Sequence, residues 1–137
     1  MSNLVYIGPA EKHPDVTELL ASATITPRQV MVVTSSAFAV AGADQTGVVY
    51  FADRNILGEL TDTYATGDTV QGFRPKSGEY YELTLAASQT IAKDAKLTTN
   101  ASGQLVALGA GTNVIAYADE AKTTGVGVTA GIRVYIK

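Results

Sequence analysis

Alternation of apolar and polar residues with a period of two marks five stretches of this chain as strands: "QVMVV" from Gln29, "GVVYFA" from Gly47, "YYELTL" from Tyr80, "VIAYA" from Val114 and "GIRVYIK" from Gly131. Successive side chains of a strand point to opposite faces. The inner row of the third stretch is therefore Tyr81, Leu83 and Leu85, with Tyr80 turned outward, and that of the last is Ile132, Val134 and Ile136. Strands this short, punctuated by Gly, Asn, Asp, Ser and Thr, predict a mainly β fold: a compact antiparallel sandwich or barrel.

One stretch reads differently. In "DVTELLA", Asp15 is placed to cap a helix with Glu18 three residues on and Leu19 and Leu20 following, which predicts a single short helix of about two turns. A helix of that length is marginal unless it docks. Ahead of it, Leu4, Val5, Tyr6 and Ile7 form an apolar cluster, followed by Pro9, that needs a partner. Residues 54–65 stay open between a loop and a short helix.

The pattern also repeats. "TGVVYFAD" from Thr46 matches "TNVIAYAD" from Thr112, and the same spacing of 66 residues lays "ATITPRQVMVVTSSAFAVA" over "QTIAKDAKLTTNASGQLVA" without a gap. Matches fall in strands and turns alike, which points to internal duplication. The closing stretches "TGDTVQGF" and "AGIRVYIK" join the alignment after a slip of two residues. The expected organisation is an N-terminal arm over residues 1–22 and one β-domain over 23–137, built from units at about 23–72 and 89–137 joined by 73–88.

The 137 residues suit a single domain able to bury a core without covalent staples. There is no cysteine, which removes disulfides, thiolate nucleophiles and zinc-thiolate sites and fits folding in a reducing cytoplasm. A net charge of −3 supplies no basic field for a nucleic-acid backbone. No stretch approaches a membrane span of about 20 apolar residues, and the first residues lack a secretory pattern. The expectation is a soluble chain with neither nucleic acid nor membrane as partner, and the sparse charge fits a surface that meets other proteins.

Candidate chemistry is thin. His13, the single histidine, lies in a polar stretch between Lys12 and Pro14, and Ser35 and Ser36 lack the context of a nucleophile. Asp53 and Asp119, the latter followed by Glu120, end equivalent strands; a hydrolytic carboxylate pair is conceivable, but Asp after a strand more commonly caps a turn. "GAGTN" and "TTGVGVTAG" lack the Lys and Ser/Thr of a phosphate loop and read as hairpin loops, and "NAS" at Asn100 reads as a turn. Seven tyrosines against three phenylalanines suit sheet faces and interfaces, with stacking on sugars as the functional alternative. No enzyme, cofactor or metal site is expected.

Taken together, "TIAKDAKLTTNASGQLVAL", "NVIAYADEA" and "TAGIRVYIK" resemble the small β-rich capsid decoration, or cement, proteins of tailed bacteriophages. "SGQLVAL", "VIAYADEA" and "IRVYI" occupy the places of that family's hairpin, following strand and final strand, over about residues 23–137; the turns "TPRQ" and "AKDA" depart from its frequent glycine. The resemblance implies a homotrimer on the outer surface of the virion head, assembled in the host cytoplasm, that binds the major capsid protein and stabilises contacts between its subunits. It also implies an extended N-terminal arm, and Leu4, Val5, Tyr6, Ile7 and Pro9 are the residues that would reach the shell. The alternative is a tail- or spike-associated β-module that binds host glycan.

Overall fold

A computed structural model describes residues 4–10, 13–55 and 59–137, which contain thirteen β-strands and no helix. The strands fall into two groups with the same wiring. In the first, β2 (Asp15–Leu20), β3 (Val30–Thr34), β4 (Ala37–Val40), β5 (Tyr50–Ala52) and β6 (Thr69–Arg74) form a five-stranded sheet in the order β2-β6-β5-β3-β4. A parallel bridge from Ala21 to Phe38 brings the last strand of that order back to the first. In the second, β7 (Tyr80–Leu85), β9 (Lys96–Thr99), β10 (Leu105–Ala107), β11 (Ala116–Ala118) and β13 (Ala130–Tyr135) run β7-β13-β11-β9-β10, and a parallel contact between Leu105 and Leu85 closes the cycle. β1 (Tyr6–Gly8) adds to β7, and β8 (Thr90–Ile91) pairs with β12 (Lys122–Thr123).

The repeat is thus architectural. Core positions recur 66 residues apart: Ile25 and Ile91, Met31 and Leu97, Ala52 and Ala118, all buried. So do the turns. Gln29 N–H donates to Thr26 O at 3.1 Å and Ala95 N–H to Ala92 O at 3.2 Å, with Arg28 (φ 73°) and Asp94 (φ 66°) left-handed at equivalent places. Aspartate tolerates that conformation, whereas for arginine it costs about 1–2 kcal/mol and needs an offset elsewhere. The β3–β4 hairpin turns through Ser35 (φ 51°) and Ser36 (φ 64°), both left-handed as a two-residue turn matched to strand twist requires.

Three expectations change. Asp15–Leu20 is a strand, paired along its length with β6 from Asp15↔Arg74 to Leu20↔Thr69. Its local capping signal supports only a marginal helix, while the ladder to β6 satisfies the backbone along the whole segment, with Leu19 turned in against the core. The slip between closing strands is four residues: Phe51 faces Phe73 while Tyr117 faces Tyr135, so β6 and β13 are related by 62 positions. Finally, β7 is no connector. Val16 faces Phe73 as Tyr80 faces Tyr135, which makes β7 the counterpart of β2 and starts the two units at Asp15 and Glu79.

Residues of the 1–22 segment accordingly carry β1 and β2, each part of a sheet, and the β-structure begins well before residue 23. Of the open 54–65 stretch, residues 56–58 lie outside the described residues. Beyond them Asp62 N–H donates to Glu59 O at 3.0 Å in a turn, and Tyr64 bridges to Ile25.

The units share one core. A large cluster joins Val30, Ala41, Phe51 and Phe73 of the first to Tyr81, Leu83, Leu97 and Leu105 of the second, and a smaller one (Ile25, Met31, Phe38, Ala52, Tyr64, Val70) fills the first unit alone. Both alternation-derived inner rows hold: Tyr81, Leu83, Leu85, Ile132 and Val134 are buried and Ile136 packs against them. The seam also carries polar ties. Val30 N–H donates to Gly103 O at 2.9 Å, and the Asp44 carboxylate accepts N–H bonds from Thr112 (3.1 Å) and Asn113 (2.9 Å). Those bonds hold the Asp44 carboxyl below its ordinary range.

Candidate binding surfaces

The N-terminal cluster is committed within the molecule. β1 runs antiparallel to β7, Val5 O accepts the Glu82 N–H at 2.8 Å, and the Val5 side chain is only 1% exposed. Tyr6 packs its ring on Phe73 and Tyr81 (centroids 6.1 and 5.4 Å apart) and donates its hydroxyl to Pro9 O at 2.6 Å. Of the residues expected to form a free arm, Val5 is buried, Tyr6, Ile7 and Pro9 are half-buried, and Leu4 alone is exposed. The apolar cluster finds its partner in cis because the β7 edge beside β10 is open enough to take another strand.

Arg28 locks this arrangement. Its guanidinium forms an ion pair with Glu82 and donates to Leu4 O at 3.1 Å, so one side chain of the first unit holds β7 of the second and the start of β1. Burial pulls the Arg28 pKa down and the Glu82 carboxylate opposes that pull. A buried charge of this kind is retained only where it is paired.

The outer face of the second unit carries a row of tyrosines. Register places Tyr80, Tyr135 and Tyr117 side by side across β7, β13 and β11. Tyr117 and Tyr135 stack at 5.5 Å and 19°, Tyr80 lies 6.2 Å from Tyr135, and the Lys137 ammonium sits over the Tyr117 ring. Tyr135 donates its hydroxyl to Asp94 at 2.9 Å, which raises its pKa. Because the rings spend faces on one another and on a lysine, little flat surface is left for a pyranose, so the geometry disfavours a sugar platform. Tyr80 and Tyr81 do point to opposite faces, but the partners of Tyr80 come from distant strands.

The sequence-level carboxylates are occupied. Asp119 accepts from Arg133 Nε at 2.8 Å and lies 3.6 Å from Lys93, while Glu120 accepts the Arg133 backbone N–H at 2.8 Å. Asp53 accepts the N–H of Arg54 at 2.8 Å, as a turn-capping residue does, and burial raises its pKa. His13 is exposed, and among the described residues no three His, Cys, Asp or Glu side chains gather as metal ligands. Asn100 folds its own turn, accepting N–H bonds from Ser102 (2.9 Å) and Gln104 (3.0 Å).

Apolar surface is also exposed at several other places, Val33 and Val48 among them. Val16 and Leu20 stand outward on β2, and Val126 and Val128 project from the turn between β12 and β13, Val126 with 91% of its surface exposed. Nothing in their spacing singles these out in sequence, since each sits among residues that read as strand or loop.

No family model matches this chain, and no curated protein matches it. Its fold is similar to a solved structure, the N base of the head fiber gp8.5 of bacteriophage phi29, with a TM-score of 0.64 and 14% identity over 91% of this chain and 95% of that one. At that identity the likeness is one of fold.

Proposed function

We propose that this chain is a non-enzymatic structural protein of a phage head, a decoration protein that sits on the outer surface of the shell as a homotrimer and stabilises contacts between major capsid subunits. The observation that carries the reading is the shared fold with a head fiber base over nearly the full length of both chains. The resemblance of the second unit to cement proteins adds to it, as does the tied-down character of the carboxylates described above.

The physical requirements of the role match the molecule. A clamp must transmit load without yielding, and here two sheet units share a core across a seam with few independent parts. Threefold presentation of a weak contact gains strength through avidity, so each subunit needs little surface of its own. Contact with the shell falls to exposed groups such as Leu4, Val16, Leu20, Val126 and Val128, with the half-buried Ile7 and Pro9 beside Leu4.

The test is decoration of particles. Purified protein is mixed with decoration-free expanded heads and with unexpanded proheads of the encoding phage and imaged by electron cryomicroscopy. Saturable density at threefold or quasi-threefold positions of expanded heads is the expected result; absence of density on both shells refutes the proposal. Sedimentation of the free and particle-released protein reads the trimer separately.

A further inference from the structure

The two units differ at one place where their shared wiring says they should agree. In both, the first strand is paired fully on one side and touches the strand closing the cycle only at its far end: β2 meets β4 at Ala21–Phe38, and β7 meets β10 at Leu85–Leu105. The bonds correspond. Ser22 N–H donates to Phe38 O at 2.8 Å and Ala86 N–H to Leu105 O at 2.9 Å. Back from that point the closing strand diverges and leaves an edge. In the second unit it is filled, for Glu82 N–H donates to Val5 O (2.8 Å) and Thr84 N–H to Arg28 O (3.2 Å).

The matching edge of β2 is bare. Ala21 N–H donates to Asp68 O at 2.8 Å, so alternation along an antiparallel ladder turns the N–H and C=O groups of Val16, Glu18 and Leu20 away from β6. Among the described residues no backbone partner meets them. Their side chains are exposed as well: Val16 and Leu20 at 49% and 54%, with the Glu18 carboxylate between them. Glu18 stands where Glu82 stands in the other unit, and Glu82 has Arg28 as its counterion.

We propose that the outer edge of β2, from Val16 to Leu20, receives an extended strand of the shell protein, laid antiparallel as β1 lies on β7, with apolar side chains against Val16 and Leu20 and a basic side chain against Glu18. This deepens the decoration reading and rests on it. The second unit supplies the template for the occupant: an apolar strand whose carbonyl takes the Glu18 N–H, and a cation for the carboxylate. A second copy fits poorly, because two β2 edges joined about a twofold axis set Glu18 against Glu18.

The experiment compares wild type with two variants on decoration-free heads of the encoding phage, by co-sedimentation and amide hydrogen exchange. Glu18→Pro deletes the outward N–H, which an edge strand tolerates, together with the carboxylate. Val16→Lys/Leu20→Lys keeps the backbone and charges the edge. The expected result is slowed exchange at Glu18 and Leu20 on heads, with affinity lowered about tenfold or more in each variant that melts as wild type does. If wild type decorates heads while those amides exchange as in free protein, or if the lysine variant binds equally well, the edge proposal is overturned and the decoration reading stands. Failure of wild type to bind heads overturns both. Slow exchange at Glu18 in concentrated free protein, with a doubled mass, identifies a second copy as occupant and also overturns it.

Discussion

Replacing Arg28 by methionine tests whether the seam between the units depends on a charge pair. The substitution keeps most of the side-chain volume and removes the guanidinium, which leaves Glu82 with its side chain only 19% exposed and deprives Leu4 O of its donor. Breaking a buried pair from one side typically costs about 3–5 kcal/mol. Residual access of water to Glu82 argues for the lower end, about 3 kcal/mol, or roughly 10 °C in melting temperature for a domain of this size. Glu82→Leu strands the other partner and should cost a similar amount. The double variant leaves no orphaned charge and should recover to within about 1 kcal/mol of wild type, because apolar replacement of a buried pair is often neutral. Urea unfolding of the four proteins closes the cycle, and a coupling energy below about 0.5 kcal/mol, the scatter of independent sites, would falsify the reasoning.

Other outcomes follow from particular contacts. Gly103→Ala should destabilise by roughly 2–4 kcal/mol in urea melts, since its Cβ would meet Val30 O at 2.7 Å and Val40 Cγ1 at 2.8 Å at a φ of +67°. Asp44→Ala should lower the melting temperature near neutrality but not in strong acid: a depressed carboxyl pKa stabilises above the unfolded value of about 4, and that contribution disappears as pH falls through the folded value. At the alkaline end the sign reverses. Burial holds the Tyr64 pKa up at about 12 and raises that of Tyr81 further, so stability should decline above the unfolded tyrosine pKa of about 10, and ultraviolet titration should show these two ionising last. Val126→Ser, at a position 91% exposed, should change stability by less than about 0.5 kcal/mol in the free protein; a larger loss means the turn is packed after all.

Much of the fold was legible because alternation is local. Tyr81, Leu83 and Leu85 had to share a face once they were read as strand, and the 66-residue echo carried turns and core positions together. What is not legible in sequence depends on partners far away in the chain. "DVTELLA" carries a genuine cap pattern, and only the β6 ladder overrides it. The match that could have exposed it was present: "VTEL" beside "YYEL", Glu18-Leu19 against Glu82-Leu83, at a spacing of 64 that an ungapped search at 66 passes over. The tyrosine row needs the β7–β13–β11 register, and Arg28, a turn residue by its place in "TPRQ", gains its role only from a side chain that crosses the seam. The N-terminal cluster is too apolar to stand alone, and part of it packs inside the molecule on β7.

The seating of β1 on β7 orders events during synthesis. Val5 and Tyr6 leave the ribosome ahead of both sheets, yet their sites are lined by Glu82 and Tyr81, which follow about 75 residues later. At translation rates of about 5–20 residues per second, that interval lasts several seconds, during which an apolar strand with a free backbone trails from the nascent protein. β2 through β6 emerge within that time and can begin to pair. β13 is made after every other strand of the described residues and completes β7 and the second cycle, so β7 holds β1 on one side before its other side is covered.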